Sequence, residues 1–180
     1  HFSHVKGRAV DLNRDHYVPF NNRFAKAIRT VQPEAIIFVE KGFRNPGPDW
    51  GSNDASHIVF APHWYDPITL ALKFYTPWFN VDQANRRLIF GPWAIRKSFA
   101  RQLARFKEHA SQRMGSAPTL LGETGISYDL NKKRAYRTGN YSAQVKAYDR
   151  IFQAIEANLL NVTLWNYTSD NTNERGDLWN

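Results

Sequence analysis

The sequence contains no cysteine. That excludes a disulfide framework, a thiolate zinc site and a cysteine nucleophile, and it leaves the redox compartment unread. Long apolar runs are also missing: nothing approaches the about 18 residues of a transmembrane helix. The longest apolar stretches, Ala35 to Val39 and Ile58 to Pro62, are strand-sized. The first residues lack the charged-then-apolar order of a signal peptide, so the sequence assigns no compartment. No glycine-rich loop of the G-x-G-x-x-G or Walker type follows an apolar strand, so no nucleotide cofactor is expected. Acidic residues are scarce, 16 against 24 Lys and Arg, a formal net charge of +8. Such an excess suits nucleic acid or an anionic membrane. Much of it, however, lies at Arg96, Lys97, Arg101, Arg105, Lys107 and Arg113 with helical spacing, the pattern of a solvated helix face. Nucleic acid is therefore not expected as a partner.

What is present is apolar and aromatic: 42% of the 180 residues are hydrophobic and 14% aromatic. That composition collapses rather than staying disordered, and the length fits one domain or a piece of a larger one. From Tyr17, the spacing Phe20, Phe24, Ala27, Ile28, Val31 predicts a helix with an apolar face, stopped by Pro33. Ala35 to Val39 reads as a strand buried on both faces, ending in Glu40. A turn-rich loop, Gly42 to Asp54, leads to a second strand, His57 to Ala61, which runs into Pro62-His63-Trp64-Tyr65-Asp66. Pro67 to Trp93 shows no clean period and is expected as a long functional loop, a lid or substrate wall. A helix with Ile95, Phe99, Leu103 and Phe106 on one face follows and closes at Gly115. Thr119 to Gly122 is the third strand and delivers Glu123. After a polar loop, Ser127 to Asn140, Ser142 is expected to cap a helix carrying Val145, Tyr148, Ile151, Phe152 and Ile155. Val162 to Trp165 is the fourth strand. Alternating strands and helices specify an α/β fold with a parallel sheet, and function in such folds collects at the C-terminal strand ends.

Those strand ends carry Pro62-His63-Trp64-Tyr65-Asp66, Leu121-Gly122-Glu123-Thr124-Gly125 and Leu164-Trp165-Asn166-Tyr167. Together they resemble the second half of a glycoside hydrolase family 5 barrel. The segment Lys132 to Gln144 and the ending Asp170-Asn171 to Gly176-Asp177-Leu178-Trp179-Asn180 are similar to the branch holding endoglycoceramidases and glucosylceramide- and steryl-glucoside-cleaving β-glucosidases. The resemblance implies a parallel (β/α) barrel of the eight-stranded TIM type, with these four strands as strands five to eight. Residues 1–180 would then be a partial catalytic barrel domain whose N-terminal half is missing, since such a barrel takes about 250 residues. The family's general acid/base sits in an Asn-Glu-Pro type motif after strand four, and this sequence has none. The chain alone is expected to be inactive, completed by the missing half or by self-association.

On this resemblance Glu123 is the nucleophile of a retaining β-glycosidase, which forms a glycosyl-enzyme that water resolves. Without it, Glu123 reads equally well as an inert Glu in a turn. Glycines on either side of the Glu123-Thr124 pair are expected to let a sugar approach, and Thr124 departs from the aromatic residue of many relatives. His63 and Tyr65 are two positions apart on an extended strand end, so they leave it on one face. The resemblance implies that they are the pair that hydrogen-bonds around Glu123 and holds it ionised and oriented. Trp165 is the expected platform under the sugar, with Asn166 and Trp64 as further substrate-binding residues. Glu40 and Glu123 would start about 10 Å apart across an intervening strand, a separation that suits an inverting pair better than a retaining one. Glu40 is therefore expected to hydrogen-bond substrate or to pair with Lys41 or Arg44.

The implied substrate is a β-glucoside with a hydrophobic aglycone, such as a glycolipid, and no cofactor or metal is implied. Phe74, Tyr75, Trp78, Phe79, Phe90 and Trp93 suit a lipid or sterol aglycone, or equally a packed loop core. Asp170, Asn171, Asn173, Glu174 and Asp177 lack the EF-hand spacing and read as a polar loop at the barrel mouth. The competing class is a non-catalytic module that binds carbohydrate or an anionic surface.

Overall fold

The computed structural model describes residues 3–42, 47–169 and 172. A short antiparallel hairpin, β1 (His4–Val5) and β2 (Arg8–Ala9), opens the chain, and a π-helical turn, Asn13–Tyr17, leads into α1 (Val18–Arg29). Then come β3 (Ile37–Val39), β4 (Ile58–Phe60), α2 (Pro67–Leu72) and the strands β5 (Phe79–Asp82) and β6 (Arg87–Phe90). The long helix α3 (Pro92–Arg113) precedes β7 (Leu120–Gly125), α4 (Leu130–Thr138), α5 (Ser142–Glu156) and β8 (Asn161–Trp165). The chain divides into two compact units, one of residues 1–62 and 106–120, the other of residues 63–105 and 121–180.

In the first unit β3 and β4 pair in parallel, Ile37 opposite Ile58 and Val39 opposite Phe60, and Phe60 also bridges in parallel to Thr119. Their inward side chains form a core with Val18, Ala25, Trp50, Ala110 and Met114. The strand expected to be buried on both faces is buried on one: Ala35, Ile37 and Val39 point in, while Ile36 and Phe38 are exposed. The α1 face is likewise not the expected one. Val18, Asn21 and Ala25 are buried, whereas Phe20, Phe24, Ile28 and Val31 are exposed. The small Ala25 lets the helix pack closely, and the bulky stripe is left outside with Phe20 stacked on Phe24.

In the second unit the region expected to be one long loop holds α2 and the antiparallel pair β5–β6. Asp66 starts α2: its carboxylate accepts from the Ile68 amide at 2.9 Å and the Thr69 amide at 3.4 Å, with Pro67 in the first turn. Asp-Pro is a readable helix start, because Asp satisfies free amides and proline has none to satisfy. The expected polar loop before α5 contains α4. Its residues Asn131 to Lys133 have φ of 56 to 59° and so run left-handed. Hydrogen bonds from the Asn131 amide to the Lys73 carbonyl (2.9 Å) and from the Tyr75 amide to the Asn131 side chain (3.3 Å) hold them there. Ser142 is the first residue of α5, not its cap; its amide donates to the Asn140 carboxamide oxygen at 3.0 Å. The buried stripe of α5 is Ala147, Ile151, Ala154 and Ile155 with Gln144 and Arg150, and the expected Val145 is exposed. β7 pairs with β8 in a sheet of their own. Asp170, Asn171, Asn173, Glu174 and Asp177, like Arg44, lie outside the described residues.

Candidate active site

The site is built where the chain leaves β4 and where β7 ends. His63 bridges in parallel to Glu123, and the Trp64 amide donates to the Glu123 carbonyl at 3.0 Å. This pairing locks the register, so the alternation of an extended chain decides which side chains meet Glu123. The Tyr65 hydroxyl donates to Glu123 Oε1 at 2.5 Å, and His63 Nδ1 lies 3.5 Å from the same oxygen. Both orienting groups therefore converge on Oε1. Among the described residues no hydrogen bond or ion pair engages Oε2. A carboxylate held at one oxygen, with none of the described residues hydrogen-bonded to the other, can turn that second oxygen to attack. Burial pushes the Tyr65 phenol far above its ordinary range, and the Glu123 carboxylate it faces pushes it further. Tyr65 therefore stays protonated and remains a donor throughout the physiological range.

The segment that carries His63 and Tyr65 is anchored from below. Asn80 donates to the Asp66 carboxylate at 2.9 Å, and the Gln83 carboxamide donates to the Tyr65 carbonyl. Burial pushes Asp66 up, opposed by the hydrogen bonds from Asn80 and from the Ile68 and Thr69 amides. These positioning residues went unread. Asp66 had a local signal in Asp-Pro, but the contacts of Asn80 and Gln83 are fixed only by the fold.

Trp64 is a correction. It was expected to bind substrate, but it is 5% exposed, packs edge-on against Phe99 at 4.8 Å and donates its indole N–H to Gln102 at 3.1 Å. The alternation that sends His63 and Tyr65 to Glu123 turns Trp64 into the core. The reason expected for Gly125 also changes. A Cβ there would lie 2.1 Å from the Trp165 carbonyl oxygen, so Gly125 is needed by the neighbouring backbone. Thr124 is fully buried, and among the described residues its hydroxyl has no hydrogen-bond partner.

Trp165 ends β8 with 44% of its surface exposed, as a platform requires, and the peptide bond that joins it to Asn166 is cis. Asn166 is half-buried with its Oδ1 enclosed and unpaired among the described residues. Glu40 belongs to the first unit, where its carbonyl accepts from the Tyr17 hydroxyl at 2.7 Å. Burial pushes the neighbouring Lys41 ammonium down against the opposing charge of Glu40, and that ammonium sits 5.6 Å from the Phe106 ring centroid. Among the described residues no cluster of His, Asp and Glu could hold a metal ion.

Tyr65→Phe removes the 2.5 Å hydrogen bond without changing the ring, and so strips Oε1 of its nearer partner.

The cellulase model (glycosyl hydrolase family 5) matches residues 4–171. A glucosylceramidase of Rhizopus delemar is 34% identical over 97% of this chain and 27% of its own length. One of Aspergillus fumigatus is 36% identical over 92% of this chain and 23% of its own length. The crystal structure of Cryptococcus neoformans sterylglucosidase 1 superposes with a TM-score of 0.90 at 32% identity, covering 99% of this chain and 27% of that one. The chain thus spans about a quarter of the length of the relatives it matches.

Proposed function

Because the chain belongs to glycosyl hydrolase family 5, we propose that it supplies the nucleophile side of a retaining β-glycosidase that cleaves β-glucosides with a hydrophobic aglycone. Its alternating strands and helices form part of a (β/α) barrel. The observation that carries the mechanism is the convergence of Tyr65 and His63 on one oxygen of Glu123. The free oxygen attacks the anomeric carbon as the glycosidic C–O bond breaks, and the leaving oxygen takes a proton from a second carboxyl group about 5 Å away. Water then attacks the glycosyl-enzyme, giving its proton to that second carboxylate, and Glu123 is released.

The sequence contains no Asn-Glu-Pro. The second carboxyl is therefore assigned to protein outside these 180 residues, and the activity is assigned to the full-length protein. As it attacks, Glu123 loses negative charge while the sugar develops positive charge, so the donors fixed on Oε1 serve to orient the carboxylate rather than to stabilise developing charge. Trp165 offers an exposed indole for the C–H face of a sugar.

The aglycone class is supported by the relatives, two named glucosylceramidases and one sterylglucosidase. It is tested by glucose release from glucosylceramide, a steryl glucoside and a cello-oligosaccharide. The full-length protein should prefer a lipid glucoside by about tenfold or more in kcat/KM, a transition-state difference of about 1.4 kcal/mol. Preference for the cello-oligosaccharide would overturn the aglycone assignment and leave the role of Glu123 standing.

A further inference from the structure

The strand that carries Glu123 is held along both edges. On one edge the Trp64 amide donates to the Glu123 carbonyl. On the other, the Thr163 hydroxyl of β8 donates to the Gly122 carbonyl, and Gly125 lies against the Trp165 backbone. The chain that leaves the strand is held as well, by α5. Only Ile126 and Ser127, each 5% exposed, separate β7 from Tyr128. The Gln144 carboxamide donates to the Tyr128 main-chain carbonyl at 2.7 Å, and the Tyr128 hydroxyl donates to the Tyr148 hydroxyl at 3.3 Å. One bond fixes the main chain and the other the side chain of the same residue. Gln144 and Tyr148 are four positions apart on α5, so the helix presents both from one face.

These contacts come at the expense of helix packing. Gln144 is 3% exposed, and among the described residues its Oε1 has no hydrogen-bond partner. An enclosed carboxamide oxygen left unpaired is destabilising. A helix packed for stability alone would put an apolar side chain there, as α5 does at Ala147, Ile151, Ala154 and Ile155. What glutamine supplies instead is the Nε2 donor on Tyr128.

Tyr148 also neighbours the other half of the site. Burial pushes its phenol up, the hydrogen bond with Tyr128 pushes it further, and a hydrogen bond from the Ile126 backbone opposes them. Burial and Glu123 raise the Tyr65 phenol, and Tyr148 adds to them. One side chain of α5 is thus close both to the exit of the nucleophile's strand and to the phenol that holds Glu123 Oε1.

We propose that Gln144 and Tyr148 are positioning residues for the formation of the glycosyl-enzyme: they fix residues 126–128 and with them the end of β7, which sets the line along which Glu123 meets the anomeric carbon. They act through the carboxylate. The inference rests on the nucleophile reading of Glu123.

The test is the rate at which an activated 2-deoxy-2-fluoro-β-glucoside labels Glu123 in the full-length protein, read by mass spectrometry beside a thermal melt. Gln144→Met keeps the length of the side chain and removes both the donor and the unpaired oxygen. Tyr148→Phe removes only the hydroxyl. Each is expected to lower the labelling rate at saturating reagent by about tenfold, against the about 100-fold of a full 1 Å misplacement. The reagent concentration that gives half the maximal rate should change little, since the sugar's own contacts are untouched. The Tm of Gln144→Met should match or exceed that of the wild type, because the lost hydrogen bond is offset by the lost unpaired oxygen. Ile155→Val, about two turns beyond Tyr148, is the control: it should lower the Tm and leave the rate unchanged. A wild-type rate in either variant would strike that residue from the role, and wild-type rates in both would overturn the proposal. So would an equal loss of rate in Ile155→Val, which would mean that any loosening of α5 slows the reaction. Wild-type protein that takes up no label on Glu123 would overturn the nucleophile reading itself, and this inference with it.

Discussion

Glu123→Gln in the full-length protein is expected to cut turnover of an activated aryl β-glucoside by about ten-thousand-fold or more, the scale of losing a catalytic nucleophile. Gln keeps the shape of the side chain and can still accept the Tyr65 hydroxyl, so the fold and substrate binding should survive. The amide cannot form a glycosyl ester, and the first step of a retaining mechanism is lost. Glu123→Ala supplies the matching positive result. The vacated space admits a small anion, and added azide should restore bond cleavage with an α-configured glucosyl azide as product. A Glu123→Gln variant with wild-type kcat would place the nucleophile elsewhere.

Gly125→Ala is expected to have the largest effect on stability. The added methyl would lie 2.1 Å from the Trp165 carbonyl oxygen, a backbone atom with no side-chain rotamer to absorb the clash. β7 and β8 must separate locally, at a cost of about 3 kcal/mol, the upper end of ordinary overpacking. In the full-length protein this is expected to lower the Tm in a thermal melt followed by circular dichroism. Because the displaced backbone belongs to Trp165, kcat should fall as well. An unchanged Tm would show that the two strands are not held this close.

The strand ends were legible because two independent signals coincide there, a short apolar run and then polar or aromatic residues. His63, Tyr65 and Glu123 were read this way as strand-end candidates, while their roles came only from the family resemblance; the structure places the three side chains together. Trp64 was misread although the same alternation decides it, since a residue between two that face the site must face away. The β5–β6 hairpin was illegible for a different reason. Pattern reading takes the apolar side of a strand as its buried side, and here the buried side holds Asn80 and Asp82. The start of α4 hides in sequence because Asn131 to Lys133 take left-handed φ angles, which helical periodicity does not describe. In α1 the spacing found a helix but not its buried stripe: the large side chains face out, and packing follows the small Ala25.

The central claim is that the free oxygen of Glu123 bonds to the sugar. It is tested most directly by incubating the full-length protein with an activated 2-deoxy-2-fluoro-β-glucoside, which forms the glycosyl-enzyme but slows its hydrolysis, and then mapping the label by peptide mass spectrometry. The account predicts one fluoroglucosyl group on the peptide containing Glu123, absent in Glu123→Gln. A label on any other carboxylate, or full turnover with none, would contradict it.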